Sequence, residues 1–257
     1  MNISESELER PAHIGSIEWK LRQQLAACYH LFDFLGWSES IFNHISLRVP
    51  GPERHYLMNP FGLNYQEVTP SNLVKVDLAG ENVDPGPYRG NPAGFAIHGA
   101  IHESRLDTHC VIHTHTTAGM AVACKDGGLS HHNFYGALLH RQVAYHDFEG
   151  ITVRPDERAR LIGSLGDKPI LILRNHGLLA LGPDLPSAFL SYWTLQRACE
   201  IQAATEAMSG PDRLLSEAVR TQAGIDARRF DPDGRLAQVM FDAMVRRMQS
   251  ARNISVR

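Results

Sequence analysis

The stretch Cys110-Val-Ile-His113-Thr-His115-Thr116 narrows the possible folds of this chain more than any other. Cys110, Val111 and Ile112 read as the end of a buried strand, and two imidazoles follow, two residues apart. On an extended backbone such residues leave from one face, so His113 and His115 point the same way. A second apolar run, residues 169–173, is followed by Arg174-Asn175-His176-Gly177. If the two runs neighbour each other in a sheet, three imidazoles meet at one end of it. Three neutral imidazoles with an open position beside them suit a catalytic type of divalent-metal site. The plainer reading is two polar residues at a strand end and one in a turn. Spacing alone leaves both standing, although Gly177 would let another backbone come close.

Most of the 14 histidines fall between His98 and His176, so any site is expected there. His98 and His102 are four apart on a predicted helix and share a face. The segment lacks the glutamate of the His-Glu-x-x-His metalloprotease pattern, and a helix face packed at a polar edge is the expectation. His109, His131 and His132 have no partner pattern and read as structural or surface residues. Cys28, Cys110, Cys124 and Cys199 show no Cys-x-x-Cys pair, and each lies in an apolar context, so buried free thiols are expected. No glycine-rich phosphate loop or dinucleotide fingerprint is present. Ser164 and Ser187 lack the context of a nucleophile elbow.

The 257 residues carry a formal net charge of -3 and are 43% hydrophobic, as in a soluble globular protein. That charge gives nucleic acid or an anionic membrane no attraction, and no apolar run nears the roughly 20 residues of a bilayer span. Residues 1–11 are polar and acidic, unlike a secretory signal. A cytoplasmic protein is expected.

Helices are expected over residues 16–35, with Ser16 as cap and Gly36 as terminator, and over 95–104 and 117–124. Further helices are expected at 155–165 (exposed) and from Asp184 to about 208, with weaker ones at 213–223 and 235–249. Strands are expected at 45–49 and 56–58, joined as a hairpin around Pro50-Gly51-Pro52, and at 74–78. Others end at His113 or cover 142–145, 169–173 and 178–181. Residues 1–15 read as a loose arm, 84–94 as irregular, and 130–141 show no clear pattern. Helices interrupt the strands without strict alternation. That predicts one α/β domain on a mixed sheet over residues 1–257, with a core of about 17–208 and a helical extension at 212–250.

Several motifs in order resemble the class II aldolase/adducin family. They are Asn43-His-Ile-Ser-Leu-Arg-Val-Pro50, Asn59-Pro-Phe-Gly62, Cys110-Val-Ile-His-Thr-His-Thr116, Arg174-Asn-His-Gly-Leu-Leu-Ala-Leu-Gly182 and Ala198-Cys-Glu-Ile-Gln202. The likeness is nearest to the bacterial adducin-head-like branch. It implies a three-layer α/β/α fold with a central mixed, largely antiparallel sheet, assembled as a homotetramer. It implies one zinc, or another divalent metal such as manganese, held by His113, His115 and His176. A substrate would chelate through a carbonyl and an adjacent hydroxyl while the metal stabilises the charge left by carbon–carbon cleavage.

The departures bear on the chemistry. The sugar-phosphate aldolases of the family carry Ser-Ser-Glu-Trp where this chain has Pro92-Ala93-Gly94-Phe95. The metal-site glutamate is thus Gly94, and both phosphate-contacting hydroxyls are gone. His44 stands where those aldolases have a phosphate-contacting asparagine, while Gly62 still matches their substrate loop. His44 and Tyr135 are the candidates for acid/base work, since a tyrosine from a neighbouring subunit donates a proton in some members. The resemblance therefore implies a lyase acting on a small hydroxy-carbonyl compound other than a sugar phosphate. The alternatives are epimerase or decarboxylase chemistry at the same metal, or a non-catalytic adducin-like scaffold.

Overall fold

Helix α1 (Ser16–Phe34) forms where apolar residues recur at helical spacing, and it buries Leu25, Cys28, Tyr29 and Phe32 completely. Ser16 does not cap it. Gly15 holds the N-cap position without a side-chain bond, and Ser16 is already helical. Gly36 ends it as expected, in the left-handed region at φ +72. There its N–H donates to Asp33 O and that of Trp37 to Phe32 O, the pairing of a glycine-terminated helix. The computed structural model describes residues 10–84, 86–152, 154, 156–231 and 233–252. Residues 1–9 of the expected arm, and Pro155 at the start of the expected 155–165 helix, lie outside them.

Strands β1 (His44–Arg48) and β2 (Tyr56–Met58) make the expected hairpin, and β3 (Val74–Val76) pairs with β2. A helical run follows, opening earlier than expected. It comprises α2 (Pro92–Gly94), a wider π turn (Phe95–Gly99) and α3 (Ala100–Ser104). Asn91 starts it by accepting the Ala93 N–H at 3.0 Å, with Pro92 in the first position, where its missing N–H costs nothing. Then come β4 (Cys110–Thr114), α4 (Thr117–Ala123), α5 (Phe134–Leu138), β5 (Val143–His146) and α6 (Glu157–Leu165). The chain continues through β6 (Ile170–Leu173), β7 (Gly177–Gly182), α7 (Leu185–Glu206), α8 (Glu217–Arg229) and α9 (Leu236–Arg252).

The seven strands form one sheet in the order β3-β2-β1-β4-β7-β6-β5. All pairs are antiparallel except β5 with β6, so the sheet is mixed and largely antiparallel. Side-chain alternation sorts the strands into two faces. Ile45, Leu47, Cys110, Ile112, Leu178 and Ala180 pack with α1 and α7. Val111, Leu171, Leu179 and Leu181 pack on the other side with Ile97, Ile101, Leu161 and Leu165. Helices on both faces make three layers. Asp184 caps α7 by accepting the Ser187 N–H at 2.8 Å. The helix then buries Leu185, Phe189, Tyr192 and Leu195 completely, each worth roughly 1.5–3 kcal/mol.

Some expectations need correction. Helix α6 is not simply exposed, because Leu161 and Leu165 sit in the second core and Glu157 is buried. Cys124 is exposed, whereas the other three cysteines are buried and free. Residues 130–141 contain α5, capped by Asn133, which accepts the Gly136 N–H at 2.8 Å. Helix α8 packs on α5, and α9 on α7 and α1. Among the described residues no helix is long and apolar enough to cross a membrane.

Candidate metal centre

Strand β4 carries His113 into the sheet, and β7, rather than β6, is its neighbour on that side. His176 sits in the turn that joins β6 to β7, so it arrives beside β4 only because β7 folds back next to it. The result is the predicted convergence. One ring nitrogen from each of His113, His115 and His176 lies within 4.8 Å of the others. The three ring centroids are 4.7–4.9 Å apart.

The His113 ring is held from behind, and the backbone fixes the other two. His113 Nδ1 lies 3.0 Å from the Leu178 carbonyl, to which it donates, leaving Nε2 bare to act as a ligand. His113 Nε2 and His115 Nε2 are 2.9 Å apart. The Asn43 amide accepts the His115 N–H at 2.9 Å and donates to the Trp37 carbonyl at 2.9 Å, fixing the chain where β4 ends. On the opposite face, Thr114 Oγ1 meets Tyr192 Oη at 2.6 Å, and Thr116 donates to Gln196 at 2.7 Å. Both bonds anchor the His113–His115 segment to α7. Asn175, at φ 57, makes the turn before His176. Gly177 has to be glycine: a Cβ there would lie 2.4 Å from the Thr114 carbonyl oxygen and 3.0 Å from the His115 ring.

The electrostatics favour neutral rings. Burial holds His113 well below the ordinary histidine range, with neighbouring imidazoles adding to it. Burial lowers His115 as well and takes His176 down to about 4. Neutral imidazoles that each turn one ring nitrogen toward a common point are what a divalent ion requires of nitrogen ligands. The donor set fits.

His44 is part of the same scene. It faces His113 directly across the β1–β4 pair, and their rings are 4.9 Å apart. It also packs against Gly94, where an added Cβ would come within 3.4 Å of its ring and 2.9 Å of the Met58 methyl. Gly94 thus leaves the Met58 methyl its space and borders the His44 ring at ordinary contact distance. The other candidates are not brought in. Gly62, at φ +97, lies on an exposed turn after β2. Tyr135 lies on α5, packed against the α7 side of the core, and its ring contact among the described residues is with Phe134 rather than with the three histidines.

His98 and His102 depart from expectation: both are fully buried rather than set at a polar edge, and they connect to His44. Sequence reasoning also missed Glu157, the one buried acidic residue among the described residues. It lines a cleft with His146, Phe148, Glu149 and His176. Its Oε1 accepts the Thr152 hydroxyl at 3.0 Å, and its Oε2 has no partner. A buried Glu in an exposed-looking helix gives no periodic signal. The signal in the sequence is His146 followed by Glu149 and Glu157, a pattern that resembles any polar loop.

Residues 23–203 match the family model described as Class II Aldolase and Adducin N-terminal domain. The chain belongs to that family. A Pseudomonas aeruginosa relative named "Putative aldolase class 2 protein" is 42% identical over 242 residues, covering 92% of both chains. Alpha-adducin of Rattus norvegicus is 41% identical over 244 residues, which are 90% of this chain and 33% of the adducin. The crystal structure of an aldolase II superfamily protein from Pseudomonas syringae superposes with a TM-score of 0.88 at 39% identity. That match covers 93% of this chain and 96% of the other. Within a class II aldolase fold, the histidine cluster lies at one end of the central sheet.

Proposed function

We propose that this class II aldolase family member is a metal-dependent lyase that cleaves a carbon–carbon bond in a small hydroxy-carbonyl compound other than a sugar phosphate. The observation that carries the reading is the convergence of His113, His115 and His176, each ring driven toward its neutral form by burial, beside His44. In this reading the three rings hold zinc or manganese. When bound, that ion supplies Lewis-acid stabilisation of the negative charge that grows on the substrate oxygen as the bond breaks. His44 meets the substrate from β1, in the space that Gly94 leaves open. Pro92, Ala93 and Gly94 offer no hydroxyl or carboxylate to a phosphate, which argues for an unphosphorylated substrate. Gly62 would let the backbone of its turn approach that substrate. Tyr135 would act from a neighbouring subunit of a homotetramer in the cytoplasm.

Metal analysis tests the first step. Protein purified without chelators should carry about one divalent ion per chain, and His176→Ala should lose most of it, since three ligands fall to two. A metal-free wild type would refute the proposal. Product analysis with small hydroxy-carbonyl compounds and 2-hydroxy acids then separates cleavage from epimerisation and decarboxylation.

The likeness to alpha-adducin, with a glycine at position 94, favours a second reading: a binding module that keeps the fold without catalysis. A protein that binds metal, yet turns over none of these compounds, would support it.

A further inference from the structure

Of the three converging histidines, His115 is the one the sheet supports least. His113 is paired on both sides, with His44 of β1 and Leu179 of β7. His176 sits in a tight turn closed by the Leu173–Gly177 pair. The β4–β7 ladder ends at Thr114–Leu178, so His115 and Thr116 lie beyond it. Side chains take over there. In front, the His115 N–H donates to Asn43 Oδ1 at 2.9 Å. Behind, the two threonines that flank His115 face the opposite way, toward α7. Both lead to one side chain, Gln196.

Thr116 donates to Gln196 Oε1 at 2.7 Å, and Tyr192 Oη donates to the same oxygen at 3.2 Å. The single Tyr192 proton is committed there, so in its 2.6 Å contact with Thr114 the threonine is the donor. On the far side of the amide, Gln196 Nε2 donates to Glu200 Oε1 at 2.9 Å. That bond runs one way only, because a carboxylate paired with Arg197 accepts and does not donate. It sets the amide: nitrogen toward Glu200, oxygen toward the threonines. Tyr192, Gln196 and Glu200 follow at intervals of four along α7 and share a face. Thr114, Thr116, Tyr192 and Gln196 are buried, and Glu200 is half-buried at the helix surface.

Packing alone asks for none of this. Apolar side chains of matching shape would fill the same space at little cost in stability. A buried polar row in which every member has its partner instead fixes orientation. Here it fixes residues 114 and 116, and with them the direction in which the His115 ring leaves the chain. A ligand that must meet two others at one point tolerates an error of only about 0.5 Å.

Resting on the metal-dependent reading for its use, we propose that Gln196 is a positioning residue for the metal centre. Oriented by Glu200, its amide holds the chain on both sides of His115, so that this ring meets those of His113 and His176. Gln196 acts through Thr114 and Thr116 and takes no part in the chemistry itself.

Zinc affinity of the full chain, read by competition with a chelating dye, tests this with Gln196→Met and Glu200→Ala. Gln196→Met keeps the side-chain length and removes the amide. It should bind zinc about tenfold more weakly, the usual loss when a group supporting a ligand is removed. Glu200→Ala frees the amide to turn and should show a smaller loss in the same direction. In cobalt-loaded protein, the visible bands of Gln196→Met should differ from those of the wild type, which a loss of stability alone would not produce. Crystals of metal-free Gln196→Met should show the His113 Nε2 to His115 Nε2 separation widened from 2.9 Å. Wild-type zinc affinity in folded Gln196→Met, or an unmoved His115 ring, would overturn the proposal. Should Gln196→Met fail to fold, Glu200→Ala carries the test, and unchanged affinity there is the overturning result. A wild type that takes up neither zinc nor cobalt would instead defeat the metal-dependent reading, and the metal-free crystals would still decide the role of Gln196.

Discussion

Mild acid should destabilise the metal-free protein before its carboxylates titrate. The perturbation is a fall in pH from 7.5 to 5, and the groups that respond are the buried histidines, His98 and His102 among them. Burial, with the nearby Arg48 charge adding to it, takes His102 from 6.5 down to about 3. The folded ring thus stays neutral at pH 5 while the unfolded ring takes up a proton below 6.5. The unfolded state then binds more protons, and stability rises with pH. The His102 contribution is therefore intact above pH 6.5 and is lost as the pH falls from 6.5 toward 3. At about 1.4 kcal/mol per unit, the drop from 6.5 to 5 removes about 2 kcal/mol through His102 alone. His98 is held well below its ordinary range, chiefly by burial, and acts in the same direction. The two share a hydrogen-bonded row, so about 4 kcal/mol is an upper bound for the pair. Against a typical total of 5–15 kcal/mol, either figure is easily measured. Urea midpoints at pH 7.5, 6.5 and 5, with chelator present, are the assay, and His102→Gln is the control that should flatten the slope by about one proton. A midpoint independent of pH over that range, or an unchanged slope in His102→Gln, refutes the argument.

Two further predictions concern the glycines of the centre. Gly177→Ala sets a Cβ 2.4 Å from the Thr114 carbonyl, a backbone atom that cannot swing aside. Overpacking of this kind costs roughly 1–3 kcal/mol, so a lower melting temperature and a loss of bound metal are expected in thermal scans and metal analysis. Gly94→Glu, which places a carboxylate at this position, must displace the Met58 methyl and brings its side chain up beside the His44 ring. A crystal structure should show His44 turned away from His98, and an unmoved His44 would show that the two positions do not compete.

How much of this was legible in the chain depends on the kind of signal. The three-layer fold and the mixed sheet followed from ordered motifs, and the β1–β2 hairpin from its Pro50-Gly51-Pro52 turn. The convergence of His113, His115 and His176 was legible because strand alternation and a glycine after a turn are local rules. The route was not: β7 lies between β4 and β6, and strand order is a long-range property that no local spacing encodes. His98 and His102 were placed on the correct helix, but their partner Ser46 is more than fifty residues away in sequence. Helical spacing shows that two residues share a face; it does not show what that face meets. Residues 130–141 concealed α5 because a five-residue helix with one cap residue, Asn133, has too few turns to show a period.

A glycine rather than a carboxylate at position 94, with His44 beside it, alters what the proposed centre asks of its substrate. Asn43, His44, Gly94 and Ser46 are best understood as one unit. The glycine and the histidine pack against each other, His98 lies between the histidine and the serine, and the asparagine holds the neighbouring strand end. Every ring at the centre is driven toward its neutral form by burial. In the proposed loaded state, then, the three ligands and His44 leave the ion's two positive charges uncompensated. A resident glutamate would cancel one of them and would also supply a base. Without it, the centre should favour substrates that bring their own negative charge, and a small 2-hydroxy acid meets that demand better than a neutral sugar. Glu157, buried at the cleft wall with Oε2 unpartnered, stands with Glu149 among the acidic groups that would moderate this preference. Its Oε1 is tied to Thr152, and His146 Nε2 stands 3.7 Å away, so any response of Glu157 to a bound anion is shared with that histidine.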